Sequence, residues 1–164
     1  MNRPAKLRRR AGFTLVELLV VCAIIGILTR IAMPKFMTVR TKAQATAIVA
    51  DLRTVRDAAY SYYADTQKWP ANAPIGRMPR ELKPYLPGSL QQFVRSKNYR
   101  YAWLLRGMPG GDPNRARGNT LMGVGVSTTD KALRLQVQKV LGATPSYVAG
   151  NTVYVLIWGP GLRP

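Results

Sequence analysis

Glu17 is the side chain whose position in the sequence predicts the most specific chemistry. It is the only charged residue in the apolar run from Phe13 to Leu28. A carboxylate inside a bilayer costs on the order of 2.5–3.5 kcal/mol near the centre of a helix, so it needs a cationic partner. Cleavage of the peptide bond between Gly12 and Phe13 creates such a partner, because the new α-amino group lies about one helical turn from Glu17.

That amine can reach a second copy of the chain. In a stack of parallel helices, the amino group of Phe13 can contact Glu17 of the neighbouring copy, which neutralises both charges and fixes the axial register of the stack. The charge pattern also leaves an alternative open. Glu17 could stay unpaired and extend its carboxylate to the membrane surface near the start of the helix.

The apolar run is long enough to cross a membrane. As a helix, residues 13–33 span roughly 31 Å, although Thr29 and Arg30 interrupt the apolar sequence. We expect a basic leader at residues 1–12 and a transmembrane or assembly helix at residues 13–34. The basic side chains of the leader should stay in the cytoplasm, which places the chain beyond Pro34 on the other side of the membrane.

The N-terminus fits an ordinary secretory signal poorly. Such a signal has its small-residue cleavage site after the apolar run, and no such site follows Leu28. The small residues Ala11 and Gly12 instead precede the run, at the junction between basic and apolar sequence. A cut at this junction leaves the hydrophobic helix on the mature protein.

The segment Arg10–Phe36, RAGFTLVELLVVCAIIGILTRIAMPKF, resembles the class III signal of type IV prepilins and type II secretion pseudopilins. The resemblance implies cleavage by a prepilin peptidase after Gly12, N-methylation of Phe13 and assembly through Glu17. It also implies that Pro34 is the proline that kinks the long N-terminal helix of this family.

The same resemblance implies a structural role. The chain is then a subunit of a type II secretion-like pseudopilus or a type IV pilus-like filament, in the periplasm or at the cell surface. It is anchored by one helix in the bacterial inner membrane, with the C-terminal domain outside the cytoplasm. The expected partners are other pilin-like subunits, the prepilin peptidase and an assembly platform protein. Asp51–Pro70 further resembles the helix end of major type II pseudopilins, which favours that class slightly, whereas Thr29 and Arg30 depart from the family pattern.

Beyond Pro34, the sequence predicts an amphipathic helix at residues 35–64 and a small globular domain at residues 65–164. The fold class is α+β: a long N-terminal helix packed on a small antiparallel-rich sheet with one additional helix. The predicted apolar stripe of the long helix has spacings of three to five residues and consists of Phe36, Val39, Ala43, Ile48, Leu52, Val55, Ala59 and Tyr62.

The C-terminal domain shows alternating helix and strand signals. A short helical turn is predicted at residues 78–88, and strands are predicted at 98–103, 121–127, 147–149 and 152–158, with a loop at 106–119. Gly150 and Asn151 predict a tight hairpin turn between the last two strands. A helix at 130–141 should be capped by Thr128 or Thr129.

Enzymatic chemistry has little support in this sequence. The chain contains no histidine, and neither a phosphate-binding GxxxxGK[ST] loop nor a GxGxxG loop occurs. Cys22 is the only cysteine, so an intrachain disulfide is excluded, and its apolar surroundings predict a small buried hydrophobe. Residues 131–164 contain no carboxylate for a C-terminal calcium site of the kind found in major pseudopilins. We expect no enzyme activity, no cofactor and no metal site.

The strong positive charge of the chain is compatible with binding of an acidic partner. The formal net charge is +18, so DNA, anionic lipid or another polyanion is a candidate ligand. Basic side chains interleaved with aromatic ones can bind single-stranded nucleic acid. The alternative function is therefore a membrane-anchored binding module that never polymerises, with candidate DNA contacts at Arg95, Lys97, Arg100, Arg106, Arg115 and Arg117.

Overall fold

The computed structural model describes residues 12–91, 98–107 and 120–158 of the 164-residue chain. The chain divides into two units, one up to Val39 and one from Arg40 onward. The first unit contains the apolar half of the long helix, and the second contains the amphipathic half together with the sheet. The boundaries predicted at residues 34 and 64 stay predictions.

Helix α1 runs from Leu15 to Thr66 and contains Pro34. The helix ends two residues beyond residue 64, where the sequence predicted its end. Gln67 terminates it with a positive φ of 56°, and the Gln67 N–H donates to the carbonyl of Tyr63 at 2.8 Å. The ring of Tyr63 then stacks on Trp69, with 4.2 Å between ring centroids, which fixes the direction in which the chain leaves the helix.

In the second unit, α1 buries one apolar stripe. Its buried residues recur at spacings of three and four, as expected for one face of a helix, and they are Ala45, Ile48, Val49, Leu52, Val55, Ala58 and Ala59. The predicted stripe was therefore right from Ile48 onward and wrong at Ala43, which is exposed. A spacing of five residues between Ala43 and Ile48 breaks the helical period, and the stripe instead passes through Ala45. Phe36 and Val39, also in the predicted stripe, are exposed.

The sheet consists of four antiparallel strands in the order β1-β2-β4-β3. Their bounds are β1 Arg100–Gly107, β2 Thr120–Ser127, β3 Ser146–Ala149 and β4 Thr152–Trp158. Gly150, with φ 55°, lies in the predicted turn between β3 and β4. The α+β prediction is confirmed, although β1 begins and ends later than expected and takes over the first residues of the predicted 106–119 loop.

One face of the sheet forms the core with the helices. Alternate residues of β2 and β4 point to this face, as the period of a strand requires. A further helix, at Lys131–Leu141, contributes buried residues at spacings of four. The sheet, this helix and the buried stripe of α1 form one hydrophobic core. Its residues from the sheet and the helix include Met122, Val124, Val126, Leu133, Val137, Leu141, Val153, Val155 and Ile157.

The additional helices differ from the single one predicted. The segment expected to form one helical turn contains a 3-10 helix at Arg80–Tyr85, followed by the four-residue helix α2 at Gly88–Gln91. Helix α3 spans Lys131–Leu141. Prolines at 79, 84 and 87 bracket or interrupt the first two, which keeps them short.

The predicted cap of α3 was wrong. The N-cap is Asp130, whose Oδ1 accepts the backbone N–H groups of Ala132 at 2.9 Å and Leu133 at 3.1 Å. Thr128 is buried and uses its hydroxyl elsewhere, because it donates to the Asn98 carbonyl at 2.7 Å and accepts the Asp130 N–H at 3.1 Å. The threonine therefore stabilises the turn before the helix, and the aspartate caps the helix itself.

Two tyrosines connect α1 to the sheet. The Tyr60 hydroxyl donates to the carbonyl of Ile157 at 2.8 Å, and the Tyr101 hydroxyl donates to Oδ2 of Asp51. Burial, together with the hydrogen bond to Asp51, raises the pKa of Tyr101 well above its ordinary value. The phenol therefore stays neutral and keeps its donor proton at physiological pH.

Glycine at position 125 makes room for an aromatic ring on the other face of the sheet. Ala102, Gly125 and Tyr154 are direct cross-strand partners and therefore form one row. A Cβ atom on Gly125 would lie 2.5 Å from the Val153 carbonyl oxygen and 2.7 Å from Cδ1 of Tyr154. Only glycine lets the two strands and the Tyr154 ring approach this closely.

Gly125→Ala should therefore destabilise the domain by about 1–3 kcal/mol, the usual cost of overpacking. Gly88→Ala is the matched control, since a Cβ there meets no atom within 4 Å. It should change the free energy of unfolding by less than about 0.5 kcal/mol. Chemical denaturation of the full chain in detergent, followed by tryptophan fluorescence, measures both. Equal stability of the two variants would contradict the packing described for Tyr154.

Candidate functional site

The predicted cleavage site lies immediately before α1. Gly12, Phe13 and Thr14 are not helical, and α1 begins at Leu15. Phe13 is 84% exposed, and, apart from the chain neighbours of Gly12, no described atom lies within 4 Å of the position a Cβ would take on Gly12. On the Phe13 side, the predicted cleavage site is therefore exposed and lies outside the helix.

Thr14 and Glu17 form a capping box at the helix start. Oε2 of Glu17 accepts the Thr14 backbone N–H at 3.0 Å and the Thr14 hydroxyl at 2.9 Å. In return, Oγ1 of Thr14 accepts the backbone N–H of Glu17 at 3.2 Å. These reciprocal bonds satisfy two donors that the first turn of a helix otherwise leaves without partners.

The capping box was visible in the sequence but was not used. A threonine followed three residues later by glutamate, just before an apolar run, is the standard signature of a helix start. Glu17 was predicted to act in assembly, and no role was predicted for Thr14. The structure shows that Thr14 holds the carboxylate against its own helix.

The capping box leaves part of the carboxylate available. Both bonds from Thr14 end on Oε2. In the part of the chain that the structure describes, no hydrogen bond reaches Oε1, and the Glu17 side chain is exposed. An ionised carboxylate can accept about four hydrogen bonds. Glu17 can therefore cap its own helix and bind a cation from another molecule at the same time.

The apolar half of α1 is exposed to solvent in the part of the chain that the structure describes. Every residue from 12 to 40 is exposed. The exposed side chains include large apolar groups at nearly every turn: Phe13, Leu15, Val16, Leu18, Leu19, Val20, Val21, Ile24, Ile25, Ile27, Leu28, Ile31, Met33, Phe36, Met37 and Val39. Cys22 is exposed as well, and not buried as expected. By length and composition, α1 is able to cross a membrane.

Pro34 lies inside α1, and the helix continues on both sides of it. Its nitrogen cannot donate to the carbonyl of Arg30, so the helix has one backbone bond fewer at this point. Thr38 contributes an additional bond nearby, because its hydroxyl donates to the Pro34 carbonyl at 3.1 Å. Whether the helix bends here stays a prediction.

The basic residues proposed to contact DNA are mostly outside the described residues. Arg95, Lys97, Arg115 and Arg117 lie there, and for Arg106 only the backbone in β1 is described. Arg100 lies on β1 and is exposed.

Among the described residues, the aromatic side chains interleaved with these basic ones do not form a stacking surface; Phe93, which belongs to the same set, lies outside the described residues. Tyr101 and Trp103 are 3% and 2% exposed, and both belong to the core. Tyr99 is half-buried and contacts the ring of Tyr101 edge-on. Stacking on nucleic-acid bases requires an exposed ring face, so these tyrosine and tryptophan rings serve the fold.

The first part of the chain matches a known family motif. A family model described as the prokaryotic N-terminal methylation motif matches residues 7–29. This motif is found at the start of the chain, where the resemblance to type IV prepilins and type II secretion pseudopilins was noted. The matched segment includes the predicted cleavage site, the capping box and the first half of the apolar surface.

Curated proteins of both classes are similar to part of this chain. The type IV major pilin protein PilE1 of Neisseria gonorrhoeae is 35% identical over 75 residues, which are 44% of this chain and 46% of that protein. Type II secretion system core protein G of Aeromonas hydrophila is 36% identical over 63 residues, or 38% and 44% of the two chains. Fimbrial protein EcpC of Eikenella corrodens is 41% identical over 66 residues, or 40% and 43%.

The similarity is thus confined to part of each protein. The chain spans less than half the length of these curated relatives. No solved structure matches the chain. The similarity supports a pilin-like structural subunit and does not separate the pilus class from the secretion class.

Thr14→Ala should loosen the first turn of α1, because Glu17 then has no hydroxyl to bond. Loss of a threonine cap costs about 1 kcal/mol, which corresponds to about fivefold faster exchange of the Glu17 amide hydrogen. Thr14→Ser keeps the hydroxyl and should exchange like the unchanged chain. Hydrogen exchange by NMR in detergent micelles measures this. If the alanine and serine variants exchange equally fast, Thr14 does not cap the helix.

Proposed function

We propose that this chain is a structural subunit of a type II secretion-like pseudopilus or type IV pilus-like filament, matured by a prepilin peptidase. One observation carries the proposal. An exposed apolar helix surface has a carboxylate, Glu17, in its first turn, and the matched methylation motif includes Glu17 and the first half of this surface. Neither an enzyme nor a simple soluble domain needs this combination.

The exposed apolar surface requires cover. Removing apolar surface from water gains about 25 cal/mol per Å². A bilayer supplies that cover for a single copy, since residues 13–33 span roughly the thickness of its hydrocarbon core. Helices of other copies supply it in a filament. The same side chains can thus be buried first by lipid and later by the helices of other copies. A filament subunit that is extracted from the membrane needs both kinds of burial.

Glu17 is the group that makes assembly selective. After cleavage, the α-amino group of Phe13 is a cation at the helix start, and methylation of an amine keeps its charge. We place this amine of one copy against Oε1 of Glu17 in the neighbouring copy, while Thr14 retains Oε2. Such a pair offsets the cost of holding both charges in an apolar environment.

The basic leader sets the orientation of the chain. Its side chains keep the N-terminus in the cytoplasm, so that the peptidase acts there and residues 65–164 lie outside the cytoplasm. The filament then forms in the periplasm or at the cell surface. Its partners are further pilin-like subunits, the prepilin peptidase and an assembly platform protein in the inner membrane.

Within the family, we favour the pseudopilin class. Asp51–Pro70 resembles the helix end of major pseudopilins. Cys22 is the only cysteine, which excludes the C-terminal disulfide loop that many type IV pilins contain. Residues 131–164 contain no carboxylate for the calcium site that most major pseudopilins have, and this counts against a major pseudopilin within that class.

Intact-mass and N-terminal analysis tests the maturation step. The chain is expressed in cells with and without a prepilin peptidase and is purified from membranes. With the peptidase, the mature chain should begin at N-methylated Phe13. Without it, residues 1–12 should remain. A chain cut after the apolar run, or uncut in the presence of the peptidase, would contradict the proposal.

Glu17→Leu separates a filament subunit from an anchored binding module. A filament needs the carboxylate, so the variant should stay in the membrane and be lost from the sheared filament fraction, by at least about tenfold. A simple membrane anchor should tolerate or even prefer leucine. Val16→Leu, a substitution at the neighbouring exposed apolar position, is the control and should assemble normally. If Glu17→Leu filaments are as abundant as those of the control, assembly does not depend on the carboxylate.

A further inference from the structure

Arg30 is a second charge in the apolar part of α1, and the function proposed so far does not use it. Residues 13–34 contain two charged side chains, Glu17 and Arg30. Both are exposed. In the described part of the chain, no hydrogen bond or ion pair involves the Arg30 side chain. A guanidinium in an apolar environment needs an anionic partner as much as a carboxylate needs a cationic one.

Glu17 and Arg30 cannot pair within one helix. They are 13 residues apart in sequence, which is roughly 20 Å along the helix axis at about 1.5 Å per residue. A separation of 13 residues corresponds to about 3.6 helical turns, so the two side chains point to nearly opposite faces of the helix. Each of them therefore faces a different neighbour when helices pack around α1.

We propose that Arg30 of one copy pairs with Glu17 of a second copy, between parallel helices staggered by roughly 20 Å. The inference rests on the proposed function and names the partner of its helix. Charge complementarity supports it, because Glu17 is the only carboxylate between residues 12 and 50. Another copy of this segment therefore offers Arg30 one anion, Glu17.

The carboxylate has the capacity for this contact. Thr14 occupies Oε2, and Oε1 can still accept about two hydrogen bonds. The neighbour that supplies the Phe13 amine is shifted by only about 6 Å, the rise of four residues, so it is a different neighbour from the one that supplies Arg30. Glu17 thus binds two cations from two copies, at two different staggers.

The geometry predicts an open assembly. All copies enter the membrane in the same orientation, so their helices are parallel, and one pair of helices makes a single contact between Glu17 and Arg30. Each copy then keeps an unused Arg30 on one face and an unused Glu17 on the other. Such a head-to-tail interface does not close into a dimer, and it continues from copy to copy as a helical filament.

The stagger also gives the contact a direction. Two copies at the same depth in the membrane cannot make it, because one of them must first move roughly 20 Å along the membrane normal. Before that movement, the Arg30 side chain can extend to lipid headgroups near the outer surface. The pair therefore forms as a copy leaves the membrane, and it favours extraction over return.

Cysteine cross-linking tests the stagger. Val21 lies one turn beyond Glu17, and Met33 lies nearly one turn beyond Arg30 on the facing helix; both are exposed. On a Cys22→Ala background, Val21→Cys with Met33→Cys places two thiols at the proposed contact. Filaments sheared from cells are oxidised mildly and analysed on non-reducing gels, with each single-cysteine variant as the control.

The two-cysteine chain should give a ladder of covalent multimers, because each copy then links to a different copy on either face. Each single-cysteine chain should stay monomeric. Intact filaments without a ladder, or dimers from a single-cysteine chain, would overturn the staggered pair and leave the proposed function standing. A wild-type chain that forms no filament at all overturns the proposed function itself.

Charge variants of Arg30 test the pair independently of cross-linking. Arg30→Glu places a like charge opposite Glu17 and should reduce the sheared filament fraction by at least about tenfold, whereas Arg30→Lys should assemble close to the wild-type level. The mass of the mature chain should be as expected for cleavage in both variants. Correctly cleaved Arg30→Glu chains that assemble like Arg30→Lys would show that the guanidinium contacts only lipid or water.

Discussion

The unburied apolar surface of α1 is the constraint on which the rest of the structure depends. From residue 12 to residue 40, no side chain is buried by the chain itself. A helix in water is stabilised mainly by packing of an apolar face, so this segment requires an environment that its own chain does not provide. In the proposed function, lipid meets that requirement for one copy, and other copies meet it in a filament. The second unit, from Arg40 onward, has its own core, to which α1 contributes its buried stripe, and needs neither.

The charged side chains of the same segment, Glu17 and Arg30, determine which surroundings stabilise it. A uniformly apolar helix would bury its surface equally well in lipid and against other helices. In the proposed assembly, Glu17 and Arg30 change this, because lipid tails offer no partner for either charge, whereas a parallel copy offers both. Thr14 contributes as well, since it orients the carboxylate without neutralising it. On this proposal, the segment is stable in the membrane and still favours assembly with other copies of itself.

Sequence patterns predicted the features that depend on neighbours along the chain. The apolar run, the hairpin turn at Gly150 and the last strand follow from period and turn chemistry. The break in the helical stripe at Ala43 was detectable in principle, because its spacing violates the period of a helix. Contacts between distant residues could not be derived in this way. Neither the hydrogen bond from Tyr101 to Asp51 nor the space that Gly125 leaves for a ring has a local signal.

Electron cryomicroscopy of filaments sheared from cells that express this chain with a prepilin peptidase tests the central claim most directly. The account predicts a central bundle of parallel helices that contains residues 13–39, begins at Phe13 and is surrounded by the C-terminal domains. A filament whose apolar helices lie outside the centre, or a chain found only as single copies in the membrane under these conditions, would contradict it.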